Sequence, residues 1–365
     1  MEETVMIRCT KCLMPNTRPD TAFVDGVCMA CIAHEEQKAI DWAARREDLI
    51  KMLERSGNNG SGYDCIVASS GGKDSTAQAL DLISLGVRPL LVTATTCMLT
   101  HIGHDNIQNL ARYATTMEVT PNQDVRARLN YIGLTTVGDI SWPEHVAIFT
   151  TPLRMAVSLG IPMVFYGENP QAAYGGPVGA QEARQMTQRW VSEFGGFLGL
   201  RPTDVIGMRK ITKADMVDYM PPEEKAIKKV GCERHFLGQY LGPWDSRRNA
   251  DIAVKAGMRT KLPSPANWWD FENLDNAMTG LHDYMMHMKY GYGRACAQLS
   301  VDIRNGLITR KDAMEELEYI GRRFPHHYAG VPIKDVLERV GMTLDELQKV
   351  IKRFTNEEFN HGSGA

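Results

Sequence analysis

The sequence predicts an α/β fold, a parallel sheet covered by helices, with a small cysteine module before it and a mainly helical region after it. Three observations carry this expectation. From residue 63 onward, short apolar runs alternate with helical stretches, the pattern of strand–helix–strand units. Four cysteines stand at 9, 12, 28 and 31, a C-x2-C-x15-C-x2-C arrangement. From Asp275 the apolar residues recur at helical spacing. The expected boundaries are 1–34 for the module, 35–62 for a helix and linker, 63–260 for the α/β domain and 261–365 for the helical region.

Taken in order, the two CxxC pairs suit two tight knuckle turns that offer four thiolates to one tetrahedral Zn²⁺. A segment this short builds no core without such a staple. Four thiolates also suit an iron–sulfur cluster, but structural zinc on Cys9, Cys12, Cys28 and Cys31 is the preferred reading. The other four cysteines (Cys65, Cys97, Cys232, Cys296) are scattered and read as core residues. Glu35 to Arg55 reads as a charged helix, and Ser56 to Gly62 as a linker-like break. Strands are expected at 63–69, 89–95, 117–120, 162–167 and 236–241. Helices are expected at 75–85, 105–116, 144–159 and 247–256. Gln171 to Gly179 has no periodicity and reads as a substrate loop or lid. Thr212, Thr309 and Thr343 each open a capping-box pattern that should start a helix.

Composition narrows the function classes. The chain has 365 residues, 43% hydrophobic and 23% charged, with net charge −3. That balance gives no drive toward nucleic acid or an anionic membrane. No apolar run of about 18 residues exists, and Met1-Glu2-Glu3 lacks the regions of a signal peptide. A cytoplasmic protein is expected.

The most informative stretch is Ser70-Gly71-Gly72-Lys73-Asp74-Ser75, between an apolar strand and a helix start. The glycines let the backbone approach phosphate oxygens, and the first helical N–H groups have no intrahelical partner. Lys73 adds a positive charge, and Asp74 could hold Mg²⁺. Ligands of open parallel sheets sit beyond the strands' carboxyl ends, where strand order reverses. This places Ala68, Ser69, the hexapeptide, Thr93 and Gly167 on one rim as candidate contacts of a phosphate-bearing ligand, which the resemblance named below implies to be ATP. Lys73 should lie in a surface-lined cleft, so Lys73→Ala should cost little stability. Glu168 and Asn169 could contact ATP, Mg²⁺ or a second substrate, or could simply form the turn before Pro170. His101 and His104 in a loop read as solvated, Trp268 and Trp269 as core or interface, and Arg184 and Arg189 as a solvated helix face.

The spacing excludes the G-x-x-x-x-G-K-[ST] phosphate loop. The hexapeptide resembles instead the PP-loop ATP pyrophosphatases, of adenine nucleotide alpha hydrolase-like, Rossmann-like fold, which split ATP between its α and β phosphates. The cysteine quartet, Tyr166-Gly167-Glu168-Asn169-Pro170 with Tyr174-Gly175-Gly176-Pro177, Gly238-Gln239-Tyr240 through Pro243-Trp244-Asp245, and Lys289-Tyr290-Gly291-Tyr292-Gly293-Arg294 extend the likeness over most of the chain. Together they resemble the N-acetyl sugar amidotransferases of the WbpG and PseA type. The resemblance implies adenylation of the acetamido oxygen of a nucleotide-linked sugar. Ammonia then replaces that oxygen to give an acetamidino sugar, with AMP and pyrophosphate released, in lipopolysaccharide O-antigen or flagellin-sugar biosynthesis.

In that reading Lys73, Asp74 and Glu168 are catalytic. Glu168, Asn169, Tyr174, Trp244 and Asp245 meet the sugar substrate, and the cofactors are ATP, Mg²⁺ and structural Zn²⁺. A glutaminase subunit and a cyclase-like barrel subunit, similar to those of imidazole glycerol phosphate synthase, are implied as ammonia-supplying partners. No cysteine in the sequence sits in a glutaminase nucleophile setting. The alternative is a tRNA-thiolating PP-loop enzyme. Against it stand the acidic balance and the lack of a second CxxC in the α/β region.

Overall fold

A computed structural model describes residues 6–57, 59–320 and 322–360; Met1 to Glu3 and Asn58 lie outside these. The chain starts with a hairpin, β1 (Phe23–Val24) and β2 (Val27–Cys28), followed by α1 (Met29–Glu36). Helix α2 spans Trp42–Ser56 and is capped by Asp41, whose carboxylate accepts from Ala44 N. The charged stretch from Glu35 is thus two helices, because Ile40 is extended between them. Leu49, Met52 and Leu53 of α2 pack on the sheet described next. Ser56 and residues 59–64 are drawn together by local hydrogen bonds. Ser56 Oγ donates to Asp64 O at 3.1 Å, and Asn59 Nδ2 donates to Ser56 O and Tyr63 O.

The sheet has five parallel strands in the order β5-β4-β3-β6-β7. These are β3 (Cys65–Ala68), β4 (Pro89–Ala94), β5 (Thr116–Val119), β6 (Met163–Tyr166) and β7 (Glu233–Phe236). The connecting helices are α3 (Lys73–Ser84), α4 (His101–Leu110), α5 (Gln123–Val137), α6 (Trp142–Leu159), α7 (Pro170–Tyr174), α8 (Gln188–Phe194) and α9 (Glu224–Val230). From β3 the chain runs outward to β4 and β5, then returns to build β6 and β7 on the other side. The reversal therefore lies between β3 and β6. One face packs Ile66, Val92, Val164 and Phe236 against Leu129, Val146 and Trp190. The other packs Val67, Leu91 and Phe165 against Leu53, Leu82 and Leu110. Burial on both faces explains why the inner strands β3, β4 and β6 read as unbroken apolar runs.

Three expected elements differ. The last strand is Glu233–Phe236, not 236–241. The edge strand tolerates Glu-Arg-His because His235 Nδ1 meets Tyr240 OH at 2.8 Å, while Leu237 and Tyr240 turn into the core. Thr212 and Asp215 make the reciprocal cap bonds, yet only turns and a short 3-10 helix (Val217–Tyr219) follow, and Pro221-Pro222 close off any longer helix. Gln171 to Gly179 is no free lid. It opens with α7, and Ala22 N and Arg304 Nη2 donate to its Gly176 and Ala173 carbonyls.

After α10 (Ser246–Lys255), the C-terminal region supplies α11 (Thr279–Tyr290), α12 (Arg294–Arg304) and α13 (Arg310–Ile320). The hairpin β8 (His327–Tyr328) and β9 (Val331–Pro332) follows, then α14 (Ile333–Val340), α15 (Leu344–Phe354) and α16 (Glu357–Asn360). Thr343 forms a complete capping box with Glu346. Asp302 of α12 ties this region to the sheet domain: it accepts from Trp268 Nε1 (2.7 Å), Trp269 Nε1 (3.0 Å) and Arg247 Nε (3.1 Å).

Candidate active site and cysteine centre

The loop leaving β3 is shaped for close approach. Gly71 has φ +76°, and a Cβ there would lie 2.6 Å from Ile107 N, so backbone packs on backbone. Helix α3 starts at Lys73 from an extended Gly72, with no side chain capping it. The loop N–H groups of Ser70, Gly71 and Gly72 reach only serine hydroxyls at 3.4 Å, at the outer limit of a hydrogen bond. Such N–H groups suit phosphate oxygens.

Of these three residues, Ser70 borders a cavity of about 280 Å³, which Ala68, Ser69, Asp74, Ser75 and Gln78 also line on that side; Gly71, Gly72 and Lys73 do not line it. Val92, Ala94, Ile148, Phe149, Pro152, Met186 and Phe236 make an apolar wall, and Tyr166, Gly167, Glu168 and Pro170 complete it. One wall rich in donors and one apolar wall match a nucleotide's phosphate and base ends. Gln78 Oε1 is a buried acceptor with no partner among the described residues. Thr93 does not line this cavity; its neighbours Val92 and Ala94 do, as alternation along β4 requires.

Lys73 is not in a surface cleft. It is 5% exposed, with Nζ 2.6 Å from Asp74 Oδ2 and 2.6 Å from Glu272 Oε1. The Asp74 and Glu272 carboxylates hold the ammonium well above the usual lysine range against the opposing effect of burial. Glu272 comes from the segment before α11 and is held by Gln298 Nε2 at 2.8 Å. Asp74 Oδ1 in turn accepts from Asn249 Nδ2 at 3.0 Å. Glu272 and Asn249 escaped the sequence reading, because neither sits in a motif and only the docking of α10 and the 267–275 segment brings them here.

Glu168 follows β6 directly across the strand reversal from the glycine loop. Burial, reinforced by the Asp74 charge, pushes its carboxyl up to about 7. It also lines a second, smaller recess with Asn169, Tyr174, Gly238, Gln239, Trp244 and Arg304. Glu168, Asn169, Tyr174 and Trp244 therefore come together. Asp245 does not: its carboxylate caps α10, accepting from Arg247 N and Arg248 N. Asn169 caps α7 and donates to Ala180 O, so it also organises the wall. His101 and His104 are exposed on α4, Arg184 pairs with Asp48, and Arg189 pairs with Glu193.

Because folding gives the raised Glu168 carboxyl an extra proton between the ordinary glutamate range and about pH 7, stability should fall as pH rises through that window. Glu168→Gln removes the titration. The wild type should lose on the order of 1–3 kcal/mol relative to this variant between pH 5 and pH 8. Parallel denaturant midpoints for the two chains at both pH values would contradict this.

The four module cysteines converge. Sγ of Cys9 and Cys31 are 3.9 Å apart, and Sγ of Cys12 and Cys28 are 3.6 Å apart. Four thiolates about 2.3 Å from a tetrahedral ion would stand about 3.8 Å from one another. Backbone N–H groups of Lys11, Met14 and Cys28 point at these sulfurs, as a knuckle requires. The cluster fits one metal ion. Its module shares a core with Tyr292, Cys296, Leu299 and Ala313, and Arg310 donates to the Cys9 and Cys12 carbonyls. Cys65, Cys97 and Cys296 are buried, and Cys232 is half-buried.

Residues 266–363, which carry Glu272, Arg294, Asp302 and Arg304, match the family model described as LPS biosynthesis protein WbpG-like, C-terminal domain. No curated protein matches the chain. The C-terminal segment, which supplies Glu272 to the lysine pair and packs on the cysteine module, is thus similar to the C-terminal domain of WbpG-like LPS biosynthesis proteins.

Proposed function

We propose that this chain is an ATP-dependent N-acetyl sugar amidotransferase that converts an acetamido group of a nucleotide-linked sugar into an acetamidino group. The observation that carries the reading is Glu168, placed in the wall of both the cavity beside the glycine loop and the adjoining recess. Two substrates can meet there. The acetamido oxygen attacks the ATP α-phosphorus, pyrophosphate leaves, ammonia adds to the imidate carbon, and AMP departs with the oxygen. An amide oxygen is a poor leaving group, and adenylation makes it a good one. The loop N–H groups and Lys73 would take the pyrophosphate charge. Asp74 and Glu168 are the carboxylates suited to Mg²⁺, which would screen the phosphates. The recess residues Tyr174 and Trp244 would position the sugar.

The test incubates the protein with ATP, ammonium and a panel of nucleotide-linked acetamido sugars, with mass spectrometry for replacement of oxygen by NH. AMP and pyrophosphate should accompany product. ADP as the main nucleotide product would overturn the reading.

Nitrogen delivery falls to partners in this proposal, a glutaminase subunit and a cyclase-like barrel subunit. Burial pushes the Cys232 thiol up to about 11 and raises the Cys65, Cys97 and Cys296 thiols as well, so none of these four offers a thiolate suited to glutamine hydrolysis, and the other four cysteines are committed to the metal cluster. The isolated chain should work with ammonium and be inactive with glutamine; glutamine-dependent product from the chain alone would refute the partner requirement. The same thiols weigh against tRNA thiolation. Cys97 lies past the carboxyl end of β4 and Cys232 before the amino end of β7, at opposite rims of a parallel sheet. Free thiols and nucleotide substrates suit the cytoplasm, and no helix among the described residues is long and apolar enough to cross a membrane.

A further inference from the structure

Asp139, His145 and His282 form a second cluster of ligating side chains, apart from the cysteine centre. One ligand atom from each lies within 4.8 Å of the others. Asp139 sits in the turn between α5 and α6, His145 in the first turn of α6, and His282 in the first turn of α11. Asp139 is 3% exposed. Its Oδ1 lies 2.7 Å from His282 Nδ1, and its Oδ2 lies 3.3 Å from His145 Nδ1. That second approach is an ion-pair contact without well-directed hydrogen-bond geometry, so His145 Nδ1 faces the carboxylate without donating cleanly to it. The rings stand edge to face with centroids 5.3 Å apart, so they flank the carboxylate rather than stack on it.

Gly196, at φ +76°, packs closely on His145: a Cβ there would come within 2.9 Å of Nδ1, so a glycine is needed for the loop to lie against the ring. Gly196 and Val137 also line a neighbouring cavity of about 520 Å³. Asp139 is further fixed by the Ser141 N–H, at 2.8 Å from Oδ1, as a ligating carboxylate usually is by its surroundings.

The geometry points to a divalent transition-metal site on Asp139, His145 and His282, with Zn²⁺ best matched to two imidazoles and one carboxylate. Two nitrogens and an oxygen satisfy three positions of a tetrahedral ion and leave one for water. The ion would join the sheet domain to the C-terminal helices. His145 lies one helical turn before Ile148 and Phe149, which line the nucleotide cavity, while α11 belongs to the segment matching the WbpG-like C-terminal domain. Holding these helices together fixes the apolar wall of that cavity.

The test uses the untagged full chain, saturated with Zn²⁺ and dialysed, with metal measured by mass spectrometry. Two equivalents per chain are expected. His145→Asn and His282→Asn should each hold one, because the asparagine amide keeps a donor near the Nδ1 position but ligates poorly. In the Co²⁺ forms, the thiolate charge-transfer band should be unchanged by either substitution. A single equivalent in the wild type, or two in both variants, would overturn the proposal. Zinc-edge absorption fine structure of the wild type decides the point without substitution. A mixed shell of sulfur at about 2.3 Å and nitrogen or oxygen at about 2.0–2.2 Å supports the site, and a pure sulfur shell refutes it.

Discussion

Lys73→Ala is expected to abolish product formation and also to destabilise the fold by about 3–5 kcal/mol. The second half of this result follows from the structure and reverses the sequence expectation of a lysine in an open cleft. Lys73 Nζ lies between two carboxylates at 2.6 Å, and its side chain is 5% exposed. Truncation would leave Glu272, itself 12% exposed, without its cation. An uncompensated buried charge costs more than the intact pair contributes. Glu272→Gln in the Lys73→Ala background should recover much of the loss, since the residues share one network and their effects do not add. Activity should stay absent in the double variant, because the ammonium proposed to meet the phosphates is still missing. Denaturant unfolding and AMP release read the two effects separately. A Lys73→Ala chain that unfolds at the wild-type midpoint would contradict the buried pair, and near-normal turnover would contradict the role of Lys73.

Cys9→Ser is the second large effect. It should lose the ion bound by the cysteine quartet and destabilise the module on the order of 5 kcal/mol. Metal binding is coupled to folding where a segment has little core of its own. Here the consequence spreads, because Cys9, Cys12 and Leu13 are packed with Tyr292, Leu299 and Ala313. Leu13 N donates to Ser300 Oγ, and Arg8 donates to Leu13 O. Loss of the ion should therefore expose α12 and α13 to proteolysis together with the first 35 residues. Retention of that ion at wild-type stability would refute the assignment, and iron with acid-labile sulfide would change the metal.

The parallel sheet was legible because its strands are buried on both faces and therefore unusually apolar. Ile66-Val67 and Leu90-Leu91-Val92 needed no context to be read. Edge strand β7 was missed for the converse reason. Its Glu-Arg-His run is polar, and the apolar Phe236-Leu237 beside it drew the assignment forward. At the candidate site, local chemistry was legible and tertiary partners were not. The glycine loop and Glu168 are spelled out by consecutive residues at a strand end. Glu272 lies about 200 residues from Lys73 and is brought to it only by the packing of Trp269 and Phe271 near the ammonium. Asp245 illustrates the opposite failure, a motif residue whose carboxylate is used by a helix cap.

The packing of the cysteine module on α12 has a consequence for biosynthesis. Leu13 and Ser300 are 287 residues apart, so the module's resting place does not exist when its thiols leave the ribosome. At about 5–20 residues per second, roughly 15–60 s separate the two events. During that interval Cys9, Cys12, Cys28 and Cys31 lack the cover that buries them in the finished chain. Early capture of the ion would protect them from oxidation and deliver a preformed knob to α12 and α13. Supply of that ion during translation, and not only in the mature protein, should then govern how much of the chain reaches its native state.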